Sequence, residues 1–231
     1  MKKIAIMLRK IRFFQKSRTV KKKTRRFRCE LIDSLSALEK RVLLADISIY
    51  SPQDLAPYYN SANNTYYLYA GADNVTIASG LTIDPASVGE SGFSMMISGN
   101  VVSIGTNVSI TTLSASASPI ACQTSVIEIQ GNSISVGNQS AFHAGGNISV
   151  SGGGVTIGSN VEIETGDLPG QTSTGAGGNI KIHGSRISIG NGSTANSEGN
   201  ISITGLGIAI GSNVIINTNG FSNGSLSDPS G

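Results

Sequence analysis

One frame recurs along most of this chain: Ile-x-Ile-x-Gly-x-x-Ile-x-Ile-Gly-x-x-Val-x-Ile. A fixed repeat constrains a fold more tightly than local propensity, because each unit must pack on the next one. The first glycine of each copy stands at Gly99, Gly131, Gly152, Gly184 and Gly205. Apolar pairs precede it: Met95/Ile97, Ile127/Ile129, Ile148/Val150, Ile180/Ile182 and Ile201/Ile203. A second set follows it: Val102/Ile104, Ile134/Val136, Val155/Ile157, Ile187/Ile189 and Ile208/Ile210. The next residue is always glycine, at Gly105, Gly137, Gly158, Gly190 and Gly211. A third pair, Val108/Ile110, Val161/Ile163 and Val214/Ile216, decays to Ser140/Phe142 and Ser193/Ala195 in the other copies.

The intervals between anchor glycines alternate. Gly99 to Gly131 and Gly152 to Gly184 are long, whereas Gly131 to Gly152 and Gly184 to Gly205 are short, so every second copy carries an insertion. Both insertions fall at one corner, Thr111 to Ser125 and Glu164 to Asn179. A looser copy with Val75/Ile77 and Leu81/Ile83 comes first. Each apolar pair has period two, the mark of a strand with one buried face. Corners of two or three residues between such short strands do not suit hairpins. Stacking like strands in parallel buries every Ile/Val face. The pattern therefore predicts an all-β right-handed parallel β-helix over residues 73–231, a solenoid of ~21 residues per rung. About six rungs at the strand spacing of ~4.8 Å make roughly 29 Å, and the hand follows the usual chirality of parallel crossovers. Asn107, Asn160 and Asn213 precede the third strand, where asparagine tolerates a left-handed backbone. Asn147, Asn179 and Asn200 precede the first strand, where stacked amides can form a ladder.

The last segment, Asn217 to Gly231, matches the inserted corner in length and stops one residue before another Asn-Ile is due. That rhythm predicts the amino-terminal part of a longer repetitive protein. The stretches Gly146-Asn147-Ile148-Ser149-Val150, Gly178-Asn179-Ile180-Lys181-Ile182 and Gly199-Asn200-Ile201-Ser202-Ile203 each lead into a Val/Ile-x-Ile-Gly step. This frame resembles the rod repeats of the filamentous haemagglutinin family and other large bacterial surface adhesins. The resemblance implies architecture and surface attachment.

The charge divides the chain. Residues 1–41 hold 15 of the 17 Lys and Arg and three acids, Glu30, Asp33 and Glu39. The remainder has two basic residues, Lys181 and Arg186, against 11 acidic ones. The body thus lacks a basic surface for nucleic acid. The basic leader carries no signal-peptide core, since Ile4 to Leu8 is broken by Arg9-Lys10. No apolar run reaches the ~18 residues of a membrane helix. Solvated disorder is the plain reading of residues 1–28.

Glu30 to Asp46 reads as a helix with Leu31, Leu35, Leu38 and Val42 on one stripe. Inside it stands Leu38-Glu39-Lys40-Arg41-Val42-Leu43-Leu44. This is similar to the LEPR-XLL motif found near the start of very large repetitive bacterial proteins, with Lys40 in place of its proline. The resemblance implies a sorting or export role for Leu38, Glu39, Arg41, Leu43 and Leu44. Residues 1–46 are then a targeting leader, helical in part, with export machinery as its partner. Residues 47–72 hold all six tyrosines. They read as a cap on the solenoid, with a sugar-stacking platform as the alternative.

Catalytic chemistry is thin. Glu162 and Glu164 are two apart on one strand and share its outward face at ~7 Å, where they read as solvated carboxylates. His143 and His183 fall at different points of the frame. No calcium-repeat aspartate, P-loop or nucleophile elbow is present. Cys29 and Cys122 make neither a disulfide framework nor a metal cluster. The sequence therefore predicts a non-enzymatic structural or adhesive protein, secreted or at the bacterial cell surface, without cofactor. Its long corners at 111–125, 164–178 and 217–231 would meet host or matrix glycans or proteins. The alternatives are a β-helix polysaccharide enzyme with its site in further rungs, or a non-functional gene fragment.

Overall fold

A computed structural model describes residues 46–90, 92–113, 125–166 and 178–218. The chain divides into two units, Met1–Leu43 and Leu44–Gly231, and every described residue lies in the second. Among the described residues the fold is all-β apart from two short helices, and nearly all the strand pairs are parallel.

Two sheets carry the repeats. The first holds β1 (Ile47–Ile49), β2 (Tyr59–Asn60), β3 (Thr65–Tyr69), β4 (Val75–Ile77), β6 (Ser94–Ile104), β8 (Ile127–Val136), β10 (Ile148–Ile157), β12 (Ile180–Ile189), β14 (Ile201–Thr204) and β15 (Gly207–Ile210). The second holds β5 (Thr82–Ile83), β7 (Ser109–Thr111), β9 (Ala141–Ala144), β11 (Glu162–Thr165), β13 (Thr194–Ser197) and β16 (Ile215–Thr218). The chain visits the sheets alternately from β4 onward, and like strands pair in register across short and long intervals alike. Ile127, Ile148, Ile180 and Ile201 are successive Cα partners. So are Ile110, Phe142, Ile163, Ala195 and Ile216 in the second sheet.

In β6, β8, β10 and β12 the first and second apolar pairs of a copy share one long strand, where the spacing predicts two; in the last described copy they fall on β14 and β15. Along β12 the inward positions run Ile180, Ile182, Gly184 and then Ile187, so the period of two slips by one residue after the glycine. The residue after the glycine drops out of the ladder, as in a bulge, and pairing resumes one residue on, so both arms keep their isoleucines inward. Glycine is required there by proximity. A Cβ on Gly152 would lie 2.5 Å from the carbonyl oxygen of Gly131, and one on Gly184 would lie 2.9 Å from that of Gly152.

The next corner places a left-handed residue in each copy: Asn107, Gln139, Asn160, Gly192 and Asn213 have φ of 55°, 59°, 54°, 69° and 57°. The asparagines there follow the sequence expectation. Asparagine also stacks as expected before the first strand. Asn147 Oδ1 accepts from Asn179 N at 2.7 Å, and Asn179 Oδ1 accepts from Asn200 N at 2.8 Å.

The inward residues form one core running from Ile47 to Ala195. Each buried aliphatic side chain contributes about 1.5–3 kcal/mol relative to exposure. The decayed third pair has its own logic. Ser140 is buried, donates to the Gly105 carbonyl at 3.0 Å and accepts from Val108 N at 3.3 Å. Ser193 repeats both bonds with Gly158 and Val161. Alternate copies thus exchange an apolar contact for hydrogen bonds to buried backbone.

The tyrosine-rich segment adds strands to the first sheet. Tyr66 is the Cα partner of Met95, and Ile47 of Val75. Tyr66 turns inward against Tyr59 and Phe93, with ring centroids 4.8 Å and 5.2 Å away. Beside these strands lie a 3-10 helix (Pro52–Tyr58) and α1 (Pro85–Val88). The Asp54 carboxylate accepts from the N–H groups of Tyr50 and Ser51, and these bonds hold its pKa below the ordinary value. Asp84 caps α1 through Ser87 N at 2.6 Å.

Candidate functional site

The parallel register of the second sheet brings together three side chains that can bind a metal. His143 on β9 is the direct Cα partner of Glu164 on β11, and Glu162 follows the same outward face two residues earlier. The residue opposite Glu162 is Ala141, whose small side chain leaves space for the imidazole. His143 Nε2 lies 3.7 Å from Glu162 Oε2 and 3.6 Å from Glu164 Oε2. One ligand atom from each of the three lies within 4.8 Å of the others. The His143 side chain is 24% exposed, but its Nε2 is shielded from solvent and has no hydrogen-bond partner. Both oxygens stand beyond the 2.7–3.2 Å of a normal N–H···O bond.

The sequence reading missed this group. It read Glu162 and Glu164 as outward solvated carboxylates, and their side chains are 49% and 32% exposed, but it set His143 only against His183 and did not place it beside them. A signal was present: His143 is six residues after Gly137, and Glu164 six after Gly158, so both hold one place in the frame. Their strand neighbours along that column are Thr111 and Asn196. His183 is elsewhere, exposed on the first sheet, with Nδ1 2.8 Å from Thr204 Oγ1.

A second outward surface lies on the first sheet. Tyr67 and Tyr69 face away from the core with ring centroids 5.5 Å apart. Tyr69 borders a shallow groove with Met96, Ser98, Glu128 and Gln130. Burial raises its phenol pKa, and Tyr67 and Glu128 add to the shift. An adjoining polar groove is lined by Ser98, Asn100, Gln130, Asn132 and Ser151. Tyr66, which points into the core from the same strand as Tyr67 and Tyr69, has its pKa pushed up to about 12 by burial.

The motif residues Leu38, Glu39, Arg41, Leu43 and Leu44 lie outside the described residues, as does most of each long corner at 111–125, 164–178 and 217–231. Among the described residues no helix is long and apolar enough to cross a membrane. Comparison with known proteins finds no family model, no curated protein and no solved structure that matches this chain.

Proposed function

We propose that this chain is a structural and adhesive solenoid of a bacterial cell surface, secreted or envelope-bound, part of a large protein of the filamentous haemagglutinin kind. In this reading the alternation of the two sheets is one continuous coil, a right-handed parallel β-helix with one copy of the frame per turn, the hand following the rule for parallel crossovers. The observation that carries the reading is the register itself. Copies a short or a long interval apart stack identically, as Ile148 does between Ile127 and Ile180. The differing intervals, between β7 and β8 and between β11 and β12, leave the pairing of the described strands unchanged. A regular stack of like strands gives the stiff, extended scaffold that suits contact with a partner surface.

Two further observations agree with it. Ile208, Ile210 and Ile216 hold inward positions whose equivalents are buried in the preceding copies, yet they are about half exposed. Such an apolar strand edge suits pairing with a further parallel layer. On the first sheet, the tyrosine pair beside amide and carboxylate groups suits a glycan, because aromatic faces stack on sugar rings while Gln130 and Glu128 offer hydrogen bonds. The leader would engage the export machinery through Leu38, Glu39, Arg41, Leu43 and Leu44.

Fractionation of the native cells tests the proposal, with an antibody against residues 95–216 and protease added to intact cells. The reading expects antigen in the envelope or medium and accessible to the protease. Antigen confined to the cytosol would overturn it.

A further inference from the structure

The geometry points to a divalent transition-metal site formed by His143, Glu162 and Glu164, bridging two adjacent copies of the repeat. An imidazole nitrogen with two carboxylate oxygens is a donor set suited to Zn²⁺ and its neighbours. Bonds of about 2.0–2.2 Å at tetrahedral angles set ligand atoms roughly 3.3–3.6 Å apart. The two histidine–carboxylate separations, 3.6 Å and 3.7 Å, are within a few tenths of that spacing, and all three ligand atoms lie within 4.8 Å of one another.

A direct ion pair accounts for the arrangement less well. It would bring an imidazole N–H within hydrogen-bond distance of at least one carboxylate, whereas Nε2 meets neither oxygen at such a distance and is closed to water. A buried polar atom without a partner is costly. A cation among the three ligand atoms removes that cost and the repulsion between the two carboxylates. The ligands come from β9 and β11, so a bound ion would clamp two adjacent layers of the stack through their outward side chains. Thr111 and Asn196 flank the column, leaving oxygen donors or water to complete the shell. The site acts as a staple on the scaffold and does not depend on what the solenoid attaches to.

The test uses the full chain, stripped with a chelator and titrated with ZnCl2 by calorimetry and by thermal melting followed with circular dichroism. MgCl2 serves as the comparison cation. Cys29→Ser and Cys122→Ser are placed in the background to remove thiol ligands. The expected result is one Zn²⁺ bound per chain through this site, with a rise in Tm of about 5 °C at saturating metal. His143→Ala and the double variant Glu162→Gln, Glu164→Gln should each weaken binding at least tenfold and abolish the Tm rise. His183→Ala should bind as the parent does. The Glu→Gln pair keeps side-chain shape, and metal-free melting shows whether each variant is folded. Absence of saturable Zn²⁺ binding, or binding unchanged in folded His143→Ala, would overturn the proposal.

Discussion

Two glycine-to-alanine substitutions in neighbouring copies of the repeat should have opposite effects. A Cβ on Gly137 would lie 2.5 Å from the carbonyl carbon and oxygen of Gly105 and from Thr106 N, all of them backbone. Ordinary contact begins at 3.4 Å, so strands β6 and β8 would have to separate locally by close to an ångström. Such overpacking costs about 1–3 kcal/mol. Separation also strains the flanking ladder bonds, Gly137 N to Ile104 O at 2.8 Å and Gly158 N to Val136 O at 2.9 Å, each worth about 1 kcal/mol. The lower chain entropy of alanine returns roughly 0.4–1 kcal/mol. The net loss for Gly137→Ala is about 2–3 kcal/mol. Gly154→Ala meets nothing within 4 Å, and its register partners Ser133 and Arg186 already carry a Cβ. It should be neutral or slightly stabilising. In urea titrations followed by far-UV circular dichroism, Gly137→Ala should lower the midpoint by about 1 M and Gly154→Ala should not lower it. Equal midpoints for the two variants would refute the argument that glycine is there for backbone proximity.

Core and polar substitutions give further tests by the same titration. Phe142→Ala empties a fully buried position between Ile110 and Ile163 and should cost about 3–5 kcal/mol. Ser140→Val installs the residue found at 108 and 161, yet it should destabilise by about 1–3 kcal/mol, because Val108 N loses its acceptor and the Gly105 carbonyl loses a donor. Tyr66 adds a pH effect: its folded pKa, raised from 10.0 to about 12, means the neutral phenol is favoured by folding. That stability is complete below pH 10 and falls by about 1.4 kcal/mol per unit as pH rises toward 12. Thermal melts of the wild type should therefore drop more steeply across that window than those of Tyr66→Phe.

The repeat was legible where glycine marks the corners and Ile or Val fills every inward place. Where other residues fill those places, the frame is hidden. Tyr66 holds the position of Met95, but the interval between them matches neither the short nor the long one, and Ala70 stands where Gly99 closes the next copy. Ile47 pairs with Val75 at another irregular interval. The joining of the first two strands could not be read from periodicity, because the one-residue slip after Gly184 looks like a strand end, whereas β12 skips one ladder position there and continues. The metal-ligand group was hidden by the same decay that gives Ser140 and Phe142. Once the third pair departs from Val-x-Ile, nothing local says that His143 shares a column with Glu164. Only counting from the preceding glycine recovers it.

The in-register parallel stack is the claim on which the scaffold and the metal site both depend. Spin labels on the outward column Ser103, Ser135, Thr156, Ser188 and Ala209 test it by pairwise distance measurement. The account predicts backbone separations that grow by roughly 4.8 Å per copy, reaching about 19 Å between Ser103 and Ala209, with equal steps across the short and long intervals. Steps that follow the sequence interval, or a Ser103–Ala209 separation far from that value, would contradict it.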